Sequence, residues 1–291
     1  MKKEQSSFKR KEEKFVIIDS TFDEIREELE KHIPVHNYEK DCLITSIKTT
    51  YMDSENFDIF KEYLEGRKYR YKIRFRQYGY DNKFSDELWA ELKVKHKKIS
   101  YKRRFLLPEK LYQPFINRED IFSELRKVNK GLPGFAKLYK LMTELIKINN
   151  FIPVLLTSYD RIAFQKKSKR IRITIDKNIH HKALHNSLKQ CKLRILVFES
   201  KILGRRPKWY KKLEDRLSLL PQKRFSKFAT GINSTYYPAR GTYNFYTNFA
   251  EIKKKPAMVM KSLELINSTL KLETAESEES AFGMKVKSKT N

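Results

Sequence analysis

Period-2 alternation of apolar and charged residues dominates the first two thirds of the chain. From Lys68 to Arg76 every even position is cationic and every odd position is aromatic or aliphatic. A β-strand sends alternate side chains to opposite faces, so this segment has one basic face and one apolar face. Residues 89–97 repeat the pattern, with Glu91, Lys93, Lys95 and Lys97 opposed to Ala90, Leu92, Val94 and His96. Residues 170–176 set Arg170, Arg172, Thr174 and Asp176 against Ile171, Ile173 and Ile175. Segments 10–18, 45–52, 99–107, 159–165 and 193–203 are patterned alike, which predicts about eight strands. Helical spacing lies between them. Ile25, Leu29 and Ile33 predict a helix over 22–33 behind Ser20 and Thr21, and Ser54 and Gly66 bracket one over 55–65. Two further helices are expected near 118–129 and 135–149, joined at Gly131-Leu132-Pro133-Gly134, and Pro207 opens another that runs to about Leu220.

Which strand face is buried is the central question. A single basic strand face is explained by solvent on one side of a sheet. Here at least four strands share it, and the carboxylates Glu12, Glu91, Asp176 and Glu199 fall in phase with the cations. An antiparallel sheet closed into a barrel offers another solution: its apolar outer face packs on helices and its inner face becomes a charged, wet channel. Like charges facing one another there repel unless a multivalent anion sits between them. The expected fold class is therefore α+β, a closed antiparallel β-barrel with helices packed around the outside.

Composition sharpens this picture. The 291 residues include 63 Lys plus Arg against 36 Asp plus Glu, a formal net charge of +27. Such a surplus points to a polyanionic partner. With 40% hydrophobic residues, 19 Phe and 16 Tyr, the chain can build a real core. No apolar run is long enough to span a membrane, although a membrane-bound partner is compatible with the sequence. The charged start, Met1-Lys2-Lys3-Glu4, has no apolar signal region. The two cysteines, Cys42 and Cys191, read as buried, reduced thiols, and the expected location is the cytoplasm. Residues 270–291 are polar and charged, and a disordered tail is expected there behind a folded domain over 8–269.

Several motifs are excluded. No Gly-x-x-x-x-Gly-Lys-Ser/Thr loop occurs, nor a kinase signature set. His32 and His36 are four apart, but Pro34 interrupts the helix and no third metal ligand is near. His180, His181 and His185 read as the solvated face of a basic, helix-like stretch, and Lys253-Lys254-Lys255 as a basic patch. Strand aromatics lie opposite the basic face rather than on it, which argues against RNA and sequence-specific nucleic acid.

Nine blocks in order then resemble the VTC domain, the catalytic domain of vacuolar transporter chaperone polyphosphate polymerases and their bacterial relatives, within the triphosphate tunnel metalloenzyme superfamily. They include Glu12-Glu13-Lys14-Phe15, Lys72-Ile73-Arg74-Phe75-Arg76, Glu91-Leu92-Lys93-Val94-Lys95 and Tyr101-Lys102. Also among them are Tyr159-Asp160-Arg161-Ile162-Ala163-Phe164-Gln165, Arg170-Ile171-Arg172, Phe198-Glu199-Ser200-Lys201 and Arg224-Phe225-Ser226-Lys227-Phe228. The resemblance covers about residues 8–232. It implies that Arg74, Arg76, Lys93, Arg161 and Arg172 act on the transferring phosphate, Arg74 and Arg76 sharing one strand face where guanidinium forks clamp phosphate oxygens. Lys14, Lys95, Lys102, Tyr159, Arg224 and Lys227 would bind substrate phosphates; for Tyr159 a plain place in the barrel wall is the alternative. Arg224 stands where the family usually has lysine. Glu199, within the apolar run Ile195–Phe198, is the expected ligand of Mn²⁺ or Mg²⁺, with Glu12 a weaker second. Tunnel hydrolases open with Glu-x-Glu-x-Lys, whereas Arg10 replaces the first glutamate here. The implied activity is accordingly transfer of the γ-phosphate of ATP to a growing polyphosphate chain. A metal-dependent tripolyphosphatase or nucleoside triphosphatase is the alternative enzyme, and an idle polyphosphate-binding protein the alternative of another class.

Overall fold

The structure is a computed structural model that describes residues 11–237, apart from Lys40, Asn82, Lys97, Lys98, Leu220, Lys223 and Arg224, together with Ile266. Arg10, Arg224, the Lys253–Lys255 patch, the outer ends of the expected domain and the expected tail lie outside these residues.

Among the described residues nine strands form one antiparallel sheet. They are β1 (Lys11–Ile18), β2 (Thr45–Asp53), β3 (Tyr69–Tyr80), β4 (Lys83–His96), β5 (Ile99–Pro108), β6 (Ile152–Lys166), β7 (Ile171–Ala183), β8 (Gln190–Leu193) and β9 (Ile195–Ile202). The hydrogen-bonded order is β1-β9-β7-β6-β2-β3-β4-β5, and β8 pairs with the second half of β7. The α+β class holds; among the described residues no ladder joins β1 to β5, so backbone hydrogen bonds do not close the expected barrel. The sheet curls nonetheless. Glu12 on β1 lies near Lys93 on β4, with five strands between them along the sheet order.

The face assignment follows the alternation. Ile73, Phe75, Ala90, Leu92 and Phe105 are buried on the outside against helices α2 (Asp58–Glu65), α3 (Tyr112–Ile116), α4 (Phe122–Val128) and α5 (Phe135–Ile148). Ile171, Ile173, Ile175, Phe15 and Phe198 are buried against α1 (Phe22–Glu30) and α6 (Lys208–Arg216). Each such side chain contributes about 1.5–3 kcal/mol on leaving water, so the convex face carries most of the hydrophobic stabilisation. The concave face is left to charge.

Local signals placed the helices well where they were strong. Ser54 Oγ accepts from the Asp58 amide at 3.1 Å, and the buried Asp53 carboxylate accepts from Ser54, Ile59 and Phe60 amides at 2.8, 2.9 and 3.0 Å. Gly66 closes α2 with φ 70°. The helix expected near 118–129 is α4, which starts four residues later, and the short α3 before it was not expected. The 193–203 strand is broken at Arg194 into β8 and β9. Strand β6 begins at Ile152, seven residues earlier than expected. Val154 and Leu155 there are both buried, so the alternation that betrays a half-exposed strand is missing. The histidine stretch is a correction too. His180 and His181 lie on β7 between β6 and β8, and His181 is buried rather than solvated. Cys42 and Cys191 are unpaired, as expected, but both are partly exposed. No helix among the described residues is long and apolar enough to cross a membrane.

A further helix, α7 (Lys227–Tyr236), has no counterpart in the alternation pattern, and it packs on the concave face. A Cβ at Gly231 would lie 2.5 Å from Leu155 and 2.7 Å from His181, so only glycine lets this helix approach β6 and β7 so closely. Its first turn is capped by Ser226 and points Lys227 and Ser226 at charged side chains of the sheet.

Candidate active site on the concave face of the sheet

Register decides which charges meet. Arg74 on β3 is paired with Glu91 on β4, and Glu91 with Arg104 on β5. The Glu91 side chain is fully buried; Arg74 donates to it at 2.7 Å and Lys102 Nζ lies 2.6 Å away. Burial alone would favour the neutral acid, yet Arg74, Arg76 and Lys102 hold this carboxyl well below the usual range. A second carboxylate does the same on the other side. Asp176 on β7 is paired with Arg161 on β6, which grips it with two donors at 2.5 and 2.8 Å. Lys227, delivered by α7, reaches Asp176 at 2.5 Å. Asp176 is likewise held low by Arg161 and Lys227 against its burial. Glu91 and Asp176 thus act as anchors that fix two arginine forks before any ligand arrives.

A third cluster joins β1 and β9. Lys14 lies opposite Glu199 and Glu12 opposite Lys201. Lys201 Nζ is 2.7 Å from Glu199 and 3.6 Å from Glu12, while Lys14 Nζ is 3.9 Å and 3.4 Å from the same two carboxylates. Lys201, Lys14 and Arg161 keep Glu199 ionised far below the ordinary range despite burial. Glu12 is also held low, by Lys201 and Lys14 against burial and Glu199.

Three cations on this face have no carboxylate within 4.0 Å among the described residues: Lys72, Arg76 and Lys93. Arg76 is 8% exposed and donates only to Thr49 Oγ1, at 3.2 Å. Lys72 donates to Ser226 Oγ at 3.0 Å and sits 4.6 Å from the Phe228 ring. Burial, reinforced by Lys93 and Lys14, pushes its ammonium well down. Burial, opposed by Glu12 and reinforced by Lys14, pushes Lys93 down to about 8. Such uncompensated, half-dehydrated charge is costly, and a polyanion would relieve it.

The expected residues therefore fall into groups. Lys14, Arg74, Arg76, Lys93, Lys102, Arg161, Glu199 and Lys227 share the concave face, linked by the contacts above. Lys95 occupies the same face of β4, in register with Arg70 and Ser100. Tyr159 is buried in a small apolar cluster with Ile47, Ile179 and Val197, and Lys227 and Arg161 lie 4.7 and 5.4 Å from its ring centre. Arg172 stands apart, at the rim, where it hydrogen-bonds the Tyr38 hydroxyl. Sequence reasoning left three parts of the site without roles: Lys72, Ser226 at the head of α7, and the anchors Glu91 and Asp176. The in-phase carboxylates were the signal for the anchors. Nothing in the alternation announces α7. His181 also faces this interior, 2.9 Å from Thr157 Oγ1; burial, then Lys227 and His180, lowers its pKa to about 3, so its ring is neutral.

Comparisons with known proteins agree with this arrangement at the level of the family. Among solved structures, the chain is similar to the PH1819 protein from Pyrococcus horikoshii OT3, with 13% identity and a TM-score of 0.39 over 75% of this chain and 97% of that one. It is similar also to a putative adenylate cyclase from Bacillus halodurans, with 12% identity and a TM-score of 0.42 over 75% and 94%. Both likenesses are distant. No curated protein matches the chain significantly. The VTC domain model matches residues 9–236, which takes in every described strand and helix of the concave site, and the chain belongs to the VTC domain family.

Proposed function

We propose that the protein is a polyphosphate polymerase that transfers the γ-phosphate of ATP to the end of an inorganic polyphosphate chain on the concave face of its sheet. The observation that carries this reading is the set of buried cations without a carboxylate within 4.0 Å among the described residues (Lys72, Arg76 and Lys93) beside arginine forks already held by Glu91 and Asp176. A linear phosphate chain supplies the missing negative charge along its whole length. Preorganised cations of this kind also stabilise charge that develops during phosphoryl transfer, without reorganising at the moment of reaction. In this reading the curled sheet works as a tunnel although backbone bonds do not close it.

Roles follow from position. Arg74, Arg76 and Arg161 clamp the donor phosphates, while Lys14, Lys72, Lys93 and Lys102 neutralise the chain. Lys227 and Ser226 address it from the head of α7. The attacking oxygen belongs to a chain-end phosphate and is already anionic, so no side chain need remove a proton. This suits a face whose one buried histidine, His181, is neutral and bonded to Thr157. The metal fit is limited and consistent. No group of three or more His, Cys, Asp or Glu comes together among the described residues. Glu12 and Glu199, both ionised and sharing Lys14 and Lys201, would hold Mn²⁺ or Mg²⁺, which takes its remaining oxygen ligands from substrate phosphates. When bound, the ion supplies further neutralisation of phosphate oxygens.

Incubation with ATP and Mn²⁺ should give ADP and a polymer visible on a gel, with little free orthophosphate. Stoichiometric orthophosphate without polymer would assign the site to a triphosphatase instead. A pH series provides a second check. ATP is fully ionised above pH 7.5, whereas Lys93 loses its proton around pH 8 in the free protein. Metal-free ATP affinity should therefore fall about tenfold from pH 7.5 to 9.5, the worth of one charge-assisted contact. Thermal stability should move the other way. An unfolded lysine keeps its proton to about pH 10.4, so the unfolded state binds more protons in this window and stability rises with pH. Burial lowers Lys102 to about 8 as well, so Lys93→Gln should weaken both trends without abolishing them; a variant with unchanged pH profiles would assign them to Lys102.

A further inference from the structure

We propose that Tyr38 is a nucleobase-stacking residue at the rim of the concave site, and that the preference for a nucleotide over bare phosphate chains comes from it. The inference rests on the reading of the interior as a triphosphate site and adds the part of the substrate that the interior cations cannot recognise.

Four observations carry it. First, the segment before Tyr38 is held in fixed register beyond the end of the β2–β6 ladder. Val35 bridges Phe164, the His36 amide donates to Ala163 at 2.7 Å, and the Gln165 amide donates to Pro34 at 3.1 Å. Second, the Tyr38 ring is pinned from two sides. The Arg172 guanidinium lies 5.7 Å from its centre and hydrogen-bonds its hydroxyl, and the His36 ring meets it edge-on at 4.7 Å and 72°. Third, the side chain is still 41% exposed and belongs to no core cluster, so its ring adds no hydrophobic stabilisation that would explain its fixed placement. Fourth, the rim leads inward. Arg172 is in register with Lys201 on β9, whose ammonium is 2.7 Å from Glu199. Tyr38 and the interior cluster are therefore separated by two neighbouring cationic side chains, the run along which the α- and β-phosphates of a nucleotide would lie.

An immobilised, half-exposed aromatic ring next to an arginine has the chemistry of a base platform. Every base offers a π-face, and stacking on such a ring tolerates any of them. The pinning matters because a ring already held in place loses little freedom on binding.

The test compares ATP with inorganic tripolyphosphate, which has the phosphates and no base, by calorimetry in chelator on wild type, Tyr38→Ala and Tyr38→Phe. Tyr38→Ala should weaken ATP about tenfold, equivalent to about 1.4 kcal/mol, and change tripolyphosphate less than twofold. Tyr38→Phe keeps the ring and should hold ATP within twofold of wild type. Equal loss of both ligands in Tyr38→Ala would mean that Tyr38 acts only by placing Arg172, and loss in Tyr38→Phe as large as in Tyr38→Ala would assign the effect to the hydroxyl; either overturns stacking. Unchanged ATP affinity in Tyr38→Ala overturns it as well. In each of these cases tripolyphosphate binding by wild type leaves the tunnel reading standing. Wild type that holds neither ligand would remove both.

Discussion

Replacing Glu199 with glutamine is expected to leave the fold intact and reduce turnover by a hundredfold or more. Glu199 is ionised at neutral pH because Lys201, Lys14 and Arg161 outweigh its burial. The amide has the same shape, and Glu12 remains 3.6 Å from Lys201 and 3.4 Å from Lys14, so neither lysine is left without a carboxylate. Melting should therefore shift by only a few degrees, the change expected for about 1 kcal/mol in a chain of this size. Turnover depends on the charge itself, because an amide is a poor ligand for a hard divalent ion and the phosphate oxygens lose their counter-charge. Polyphosphate binding in chelator should be kept or strengthened, since a negative charge has left a cationic face. A role limited to the salt bridge predicts the opposite set: lower melting temperature with normal activity per folded molecule. A stable Glu199→Gln protein that still makes polymer at the wild-type rate would end the metal assignment.

Arg74→Ala and Arg76→Ala should separate two functions that look identical on the strand. Both side chains leave β3 on the same face, two residues apart. Arg74 neutralises Glu91, which is fully buried, whereas Arg76 meets only a threonine hydroxyl. Removing Arg76 deletes a charge-assisted phosphate contact worth about 1.5–3 kcal/mol, hence at least tenfold in kcat/KM. Glu91 favours the Arg76 charge without an ion pair to it, so melting should fall less than in Arg74→Ala. Removing Arg74 should cost a similar factor in kcat/KM and also about 3 kcal/mol of stability, because the fully buried Glu91 loses one of its two close partners and keeps Lys102 at 2.6 Å. Kinetics and thermal melts on both variants read the difference. Equal stability in the two would show that Lys102 alone satisfies Glu91, and wild-type rates in both would remove these arginines from the phosphate site.

Much of this architecture is local and therefore legible in the chain. The alternation over residues 68–76 states which side chains share a face, since the strand period of 2 is a property of the backbone alone. It also states that one face is cationic and the other apolar. With both faces strongly marked on several strands, the pattern predicts helices over one and leaves charge on the other. Most of the side chains that share the concave face, from Lys14 to Lys227, were legible on that basis together with the family blocks. The turn signals at Ser54 and Gly66 act over a few residues and were equally reliable. Strand ends failed where burial on both faces erased the alternation, as at Val154 and Leu155.

What the tertiary structure decided is everything that depends on register between distant segments. Glu91 meets Arg74, and Asp176 meets Arg161, because particular strands pair in particular phase. A shift of one residue would turn each carboxylate to the opposite face. The same long-range packing leaves β1 and β5 without a ladder between them among the described residues, brings α7 onto the concave side through Gly231, and buries His181 beneath it. It also decides which cations go unpaired. Lys72, Arg76 and Lys93 are chemically indistinguishable from their neighbours along the chain, and only the positions of four carboxylates in space leave them to a ligand. Tyr38 belongs to the same class: an unremarkable tyrosine between Asn37 and Glu39 becomes a rim residue because Val35 pairs with Phe164, more than a hundred residues away. Face and charge are set by neighbours in sequence, whereas neutralisation is set by neighbours in space.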